Sequence, residues 1–210
     1  MSLPPTPDTL VQPVAPIPPR DPAADPRCVD LTAYYNHALD DDIHHKPGNT
    51  LSSLPKGLQR IDGTLFDLRG VVQLAGARSK EITTLTYPPA ASAIPVGVAG
   101  HRIHFLHASA WVTDSKDPIG EYVVHFAGHA PQSVPLVYNL NIWDWWKNEG
   151  GTDGHPAWTG HNPRTLDRGL GIRLYKFTWE NPFPNDTIRT IDFVSRIAES
   201  APILVAITVE

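Results

Sequence analysis

From residue 66 onward, apolar and polar positions alternate in short runs. Phe66, Leu68, Val72 and Leu74 are interleaved with Asp67, Arg69, Val71 and Gln73. That period of two is what a strand with one buried face requires. Comparable runs at Ile103 to Ala110, Tyr122 to Ala127, Val134 to Tyr138, Ile172 to Trp179, Ile188 to Val194 and Ile203 to Val209 are predicted strands. Glycine and proline separate them, at Pro88-Pro89, Pro118 to Gly120, Gly150-Gly151, Pro182 to Pro184 and Pro202. Residues 28 to 63 are polar and irregular, and read as an entry strand followed by a long loop. The best helical pattern, Asn141 to Asn148, spans only about two turns. Many short strands with long connections predict an all-β chain, a β-sandwich or jelly roll.

Ahead of that domain, residues 1 to 26 hold prolines at 4, 5, 7, 13, 16, 18, 19, 22 and 26. Proline fixes φ and removes a backbone donor, so residues 1–27 are expected to be an extended or disordered arm on a domain of residues 28–210. Such an arm is also a candidate ligand for a protein partner. Met1 to Pro26 shows neither a basic start nor an apolar central segment, so no signal peptide is visible.

Composition narrows the function classes. The formal charge is -5 with no basic run, which gives no reason to expect nucleic acid. No apolar stretch reaches the roughly 18 residues of a membrane span, so insertion is not expected. The single cysteine, Cys28, excludes an internal disulfide framework, and beside Val29 and Leu31 it reads as a small buried hydrophobe.

The segments VDLTAYYN (29–36), LPKGLQRIDGTLFDLRGVVQL (54–74), IHFLHASAW (103–111), IGEYVVHFAG (119–128), VPLVYNLNIWDWW (134–146), RLYKFTWENPFP (173–184) and the closing residues 187–210 resemble a bacterial galactose-binding-like module. The resemblance implies a jelly-roll sandwich, an extracytoplasmic setting, and carbohydrate, lipid or protein as ligand. It also implies a structural calcium near the first and last strands, around Asp30, Asn36 and Glu210.

Trp143, Trp145 and Trp146 fall within four residues, and Trp158 follows a glycine-rich loop. Indole faces stack on the apolar faces of sugars, and Asp144, Asn148, Asp153 and Arg164 would meet the hydroxyls. If the segment is helical, Trp143 and Trp146 share a face and cap the core, which leaves Trp145 and Trp158 as the binding rings. Ten histidines invite a transition-metal site. However, His104 and His107 are three apart and point to opposite faces of a strand, and only a cross-strand pair such as His104 with His125 stays open. The run Asp40, Asp41, Asp42, His44, His45 lacks the spacing of a calcium loop and is expected to be a solvated loop. Arg69 is expected to pair near Asp67 or with Glu180. No nucleophile elbow or phosphate-binding glycine loop is present. The leading expectation is a non-catalytic carbohydrate-binding module. The alternatives are a protein-interaction or scaffolding domain and, third, a histidine-based metalloenzyme.

Overall fold

The computed structural model describes residues 10–146 and 154–210. Two antiparallel sheets make an all-β sandwich. The larger has the order β1 (His37–Ala38), β4 (Gly70–Gln73), β12 (Ala201–Val209), β6 (Arg102–Ala110), β10 (Ile172–Glu180) and β9 (Trp158–Gly160). The smaller has the order β5 (Ala90–Val98), β11 (Ile188–Ser195), β7 (Pro118–Phe126) and β8 (Gln132–Val137). A separate hairpin, β2 (Gly57–Ile61) and β3 (Thr64–Leu68), covers the outer face of the larger sheet. Its turn is Asp62-Gly63, both at positive φ, the conformation a two-residue hairpin turn demands. The first strand and turn of the hairpin fall in the stretch read as a loop, while its second strand takes up the start of the Phe66 to Leu74 run. Strand β5 is also new, because Pro88-Pro89 and Pro95 obscure its alternation.

The six-stranded sheet is therefore a middle layer with a core on each side. Phe105 of β6 stacks on Tyr122 of β7 with ring centroids 3.8 Å apart, and Tyr122 in turn stacks on Phe193 of β11 at 5.1 Å. On the opposite face Leu106, Ala108 and Ala110 meet Phe66 and Leu68 of the hairpin strand and Leu39, Ile43, Leu51 and Leu54 of the preceding loops. This explains the nine consecutive buried residues of β12, a run with no polar face. A register shift between Leu204 and Ala206 puts Val205 and Ala206 both in the outer core, while Leu204, Ile207 and Val209 face the inner one. Among the described residues no helix is long and apolar enough to cross a membrane.

One buried ionic network ties this outer layer to the proline-rich segment. Arg69, 1% exposed, donates through Nε to both carboxylate oxygens of Asp67 (3.0 and 2.9 Å) and through a terminal nitrogen to Asp30 (2.6 Å). Its guanidinium also lies 5.6 Å from the ring centroid of Tyr35. The pairing is thus with Asp67 itself and Asp30, while Glu180 pairs instead with Arg102 at 3.0 Å. Arg20 of the N-terminal segment donates to Asp67 (2.9 Å) and to the Cys28 carbonyl (2.6 Å). Cys28 is buried, and burial raises its thiol pKa.

The acidic run is not a solvated loop throughout. Asp41 is buried, and its carboxylate accepts the backbone N–H groups of Val14, Ala15 and Ala38 at 3.0, 2.7 and 2.8 Å. Burying a carboxylate requires this number of donors, and consecutive amides of the arm supply them. Asp42 accepts from Gly48 N–H, Asp40 pairs with Lys56 on the surface, and His44 turns inward. From Leu10, which bridges to Thr86, the segment therefore runs along the body.

The network predicts an asymmetric mutational response. Asp67→Ala leaves the Arg69 charge buried with half its partners gone and is expected to cost about 3–5 kcal/mol. Arg20→Ala removes a partner from the solvent-facing side and should cost about 1 kcal/mol. Urea denaturation of the two variants checks this, and equal costs would contradict it.

Candidate functional site

The most richly furnished depression is a cleft of about 330 Å³ walled by five separate chain segments. The first is the short 3-10 turn Ile43–His45 with the loop that follows it. His44 there adopts φ 62° and Trp111, just past the end of β6, adopts φ 66°. Both conformations are strained for residues with a Cβ. The strained pair meet ring to ring, stacked with centroids 4.7 Å apart and planes 20° from parallel. His44 is held from behind by its Nε2 contact with Gln73 Oε1 at 3.0 Å.

The floor is the segment 143–146. It is extended, not helical: Ser109 N–H donates to the Trp143 carbonyl at 2.8 Å, Trp145 N–H to the Ser109 carbonyl at 2.9 Å, and Arg173 N–H to the Trp145 carbonyl at 2.8 Å. The ribbon is stitched to β6 and to the start of β10. Its alternation sends Trp145 into the outer core (3% exposed), whereas Trp143 and Trp146 are partly exposed and pack on that core's rim. This inverts the helical expectation, because β ladders replace the i, i+3 relation by a period of two. Trp146 Nε1 donates to Asn49 Oδ1 at 3.2 Å, which fixes the indole over the cleft, and Arg168 lies 5.4 Å from the ring centroid.

The remaining walls are helix α1 (Ala77–Ile82), which contributes Arg78, and helix α2 (Pro163–Leu166) with the turn after it, which contribute Arg164 and Arg168. Asn162 caps α2, accepting from Thr165 N–H at 2.8 Å, and its amide donates to the Thr50 carbonyl at 3.0 Å. Arg164 N–H reaches the Gly48 carbonyl at 3.3 Å. These bonds lock α2 against the loop that carries Lys46 and Asn49.

The charge in the cleft is one-sided. Among the described lining residues, Lys46, Arg78, Arg164 and Arg168 are accompanied by one carboxylate, Asp144, whose Oδ1 accepts Trp146 N–H at 3.0 Å. His44 does not add to the positive charge at neutral pH. Burial pushes its pKa down to about 4, with His37 and Lys46 acting in the same direction. His37, bonded to Tyr87 Oη at 2.9 Å, is likewise pushed to about 4 by burial.

Of the sequence-predicted binding residues, Asp144, Trp145 and Arg164 line this one cleft, with Trp145 presenting only an edge from the core. Trp158 stands on the edge strand β9, outside the cleft lining, with its ring against Gly160. Asn148 and Asp153 lie outside the described residues. Sequence pattern does not single out Trp111, Lys46, Asn49, Arg78 or Arg168, and it marks His44 only as part of a run expected to be a solvated loop. The one cue for Trp111 is an indole directly after an apolar strand.

The structure does not gather Asp30, Asn36 and Glu210 into a calcium cage. The antiparallel bridge of Cys28 with Thr208 places Asp30 and Glu210 on opposite sides of it, about 13 Å apart at strand spacing. Asp30 is engaged by Arg69 and Thr32. Asn36 exchanges both amide atoms with the Gln73 backbone, and Glu210 accepts from His104 and Arg102. The three do not fit a shared ion. The histidines are dispersed as well. His104 bonds Thr178 and Glu210, His107 bonds Tyr122 and the Asn141 carbonyl, His125 bonds Asp192, and His129 bonds Asp186. Among the described residues no group of three metal-ligating side chains occurs.

Compared with family models, curated proteins and solved structures, the chain has no significant match in any of the three.

The buried imidazoles make stability depend on pH. His37, His44 and His107 all have folded pKa values of about 4, against about 6.5 for an unfolded histidine. The unfolded chain therefore binds more protons between those values. Stability should be full above pH 6.5 and fall as pH drops toward 4. Unfolding free energies from pH 7.5 to 4.5 should show this slope, and His107→Gln should reduce it by about a third, leaving the His37 and His44 contributions; a slope unchanged by that substitution would contradict the assignment.

Proposed function

We propose that this chain is a non-catalytic binding domain for carbohydrate, built on a galactose-binding-like jelly roll, with the 330 Å³ cleft as its binding site. The observation that supports the reading is the partly exposed pair Trp111 and Trp146, fixed by His44 stacking and by the Asn49 hydrogen bond. Sugars present flat faces of C–H groups ringed by hydroxyls. They are met by rigid indoles for stacking, with carboxylate, amide and guanidinium groups at the rim for hydrogen bonds. Arg164 and Asp144 line the same cleft and would serve as that rim, with Asn49 behind them holding Trp146. Backbone strain at His44 and Trp111 fits a site whose geometry is held in advance by its surroundings, which lowers the ordering cost of binding. The reading requires no calcium.

A glycan array probed with the full chain, with calcium and again with a chelator, is the test. Specific binding is expected in both conditions. Trp111→Ala and Trp146→Ala should each abolish it while the fold survives. Trp145→Ala removes a core ring and should instead lower stability by about 3–5 kcal/mol. Absence of any glycan binding, or binding that persists in both Trp111→Ala and Trp146→Ala, overturns the reading.

A further inference from the structure

We infer that the saccharide this cleft takes is acidic: a sugar bearing a carboxylate or a sulfate, held by the arginines of α2 and the turn after it. The inference rests on the carbohydrate reading and names the ligand class within it.

The charge distribution carries it. The whole chain is acidic, at -5, yet four of the side chains lining this cleft are cationic and one is a carboxylate. The neighbouring acids Glu81 and Asp167 are not among the lining residues. Elsewhere among the described residues several cations are paired: Arg20 and Arg69 with Asp67, Lys56 with Asp40, Arg102 with Glu180 and Glu210, Lys176 with Asp62, and Arg196 with Glu121. Those without an ion pair, such as Arg27, Lys80, Lys116 and Arg189, line no shared cleft with one another. Lys46, Arg78, Arg164 and Arg168 make no ion pair among the described residues. Four cations gathered round one cleft with no ion-pair partner among the described residues repel one another and focus positive potential into it. An oxyanion relieves that repulsion, and a guanidinium presents donors in a fork that matches carboxylate and sulfate oxygens.

The geometry favours an oxyanion carried on a sugar over a free one. Arg168 lies over the Trp146 ring, so the cation sits beside an apolar face. Trp111 adds a second partly exposed indole to the same wall, an apolar surface that a bare anion leaves unused. A ligand with an apolar face and an oxyanion uses both the rings and the cations.

Isothermal titration of the full chain with four probes tests this: an oligogalacturonate for the carboxylate source, a sulfated galactan oligosaccharide for the sulfate source, an uncharged galactan of equal length, and inorganic sulfate. At least one acidic oligosaccharide should bind about tenfold or more tightly than the neutral one, since a charge-assisted hydrogen bond is worth at least that factor. The preference should weaken with added salt. The double variant Arg164→Gln, Arg168→Gln should erase it, whereas Arg189→Gln, exposed and outside the cleft, should leave it intact. Neutral galactan binding as tightly as both acids overturns the acidic ligand while leaving the carbohydrate reading standing, and so does a preference that survives the double variant. Inorganic sulfate binding as tightly as the oligosaccharides shows an anion site that ignores the sugar, and overturns both. No binding by any probe overturns the proposal together with the carbohydrate reading.

Discussion

A single buried guanidinium holds the outer layer of this molecule in place. Arg69 occupies the one-residue break between β3 and β4, where the chain leaves the hairpin and enters the large sheet. A charge with 1% exposure is tolerated only with its donors satisfied and its charge balanced. Asp67 does most of this from two residues away, Asp30 completes it from the entry segment, and Arg20 neutralises what remains of Asp67. Three distant stretches of sequence are therefore obliged to meet at one point. Hydrophobic burial alone would let the hairpin slide over the sheet, because apolar contact is non-directional. The fixed fork of the guanidinium removes that freedom.

The same outer layer sets the cleft. Its hydrophobic cluster includes Ile43, Leu51 and Leu54 on one side and Trp145 with Ile172 on the other. The loop that carries His44, Lys46 and Asn49 is thereby packed against the ribbon that carries Asp144 and Trp146. Trp145 contributes by position: driven inward, it fixes its two neighbours at the surface. Polar bonds then refine the placement, through Asn49 to Trp146 and through Asn162 to Thr50.

The six runs from Ile103 onward each mark a strand, although β7 begins four residues before its run, inside the Pro118 to Gly120 separator. The single run from Phe66 to Leu74, by contrast, is broken at Arg69 into the end of β3 and the whole of β4. The pattern failed where its physical basis fails. Residues 57–68 form a small hairpin that lies on another sheet rather than spanning a core, and β5 follows two prolines and carries a third in its middle. The segment 141–146 mimics helical spacing because three indoles fall in four residues, but its backbone bonds go to β6 and β10, partners remote in sequence. Asp144, Trp145 and Arg164 were legible as candidates because their side-chain chemistry is distinctive. Lys46, Arg78 and Arg168 were not, since an isolated surface cation looks the same in any loop and only the fold brings them round one opening. The burial of Asp41 and His44 was hidden for a related reason. Nothing in a run of acids reveals that the backbone amides of Val14 and Ala15 will come to meet it.

That last contact has a mechanical consequence. The proline-rich segment is fastened at successive points, the Leu10–Thr86 bridge, the Asp41 carboxylate and the Arg20 pair with Asp67. A pull on the chain ahead of Leu10 meets these fastenings one after another in chain order, so the segment peels like a zip and does not shear off at once. Only after the third gives way does tension reach Arg27 to Val29, whose backbone is hydrogen-bonded to β12. Load is dissipated in stages before the core bears any of it.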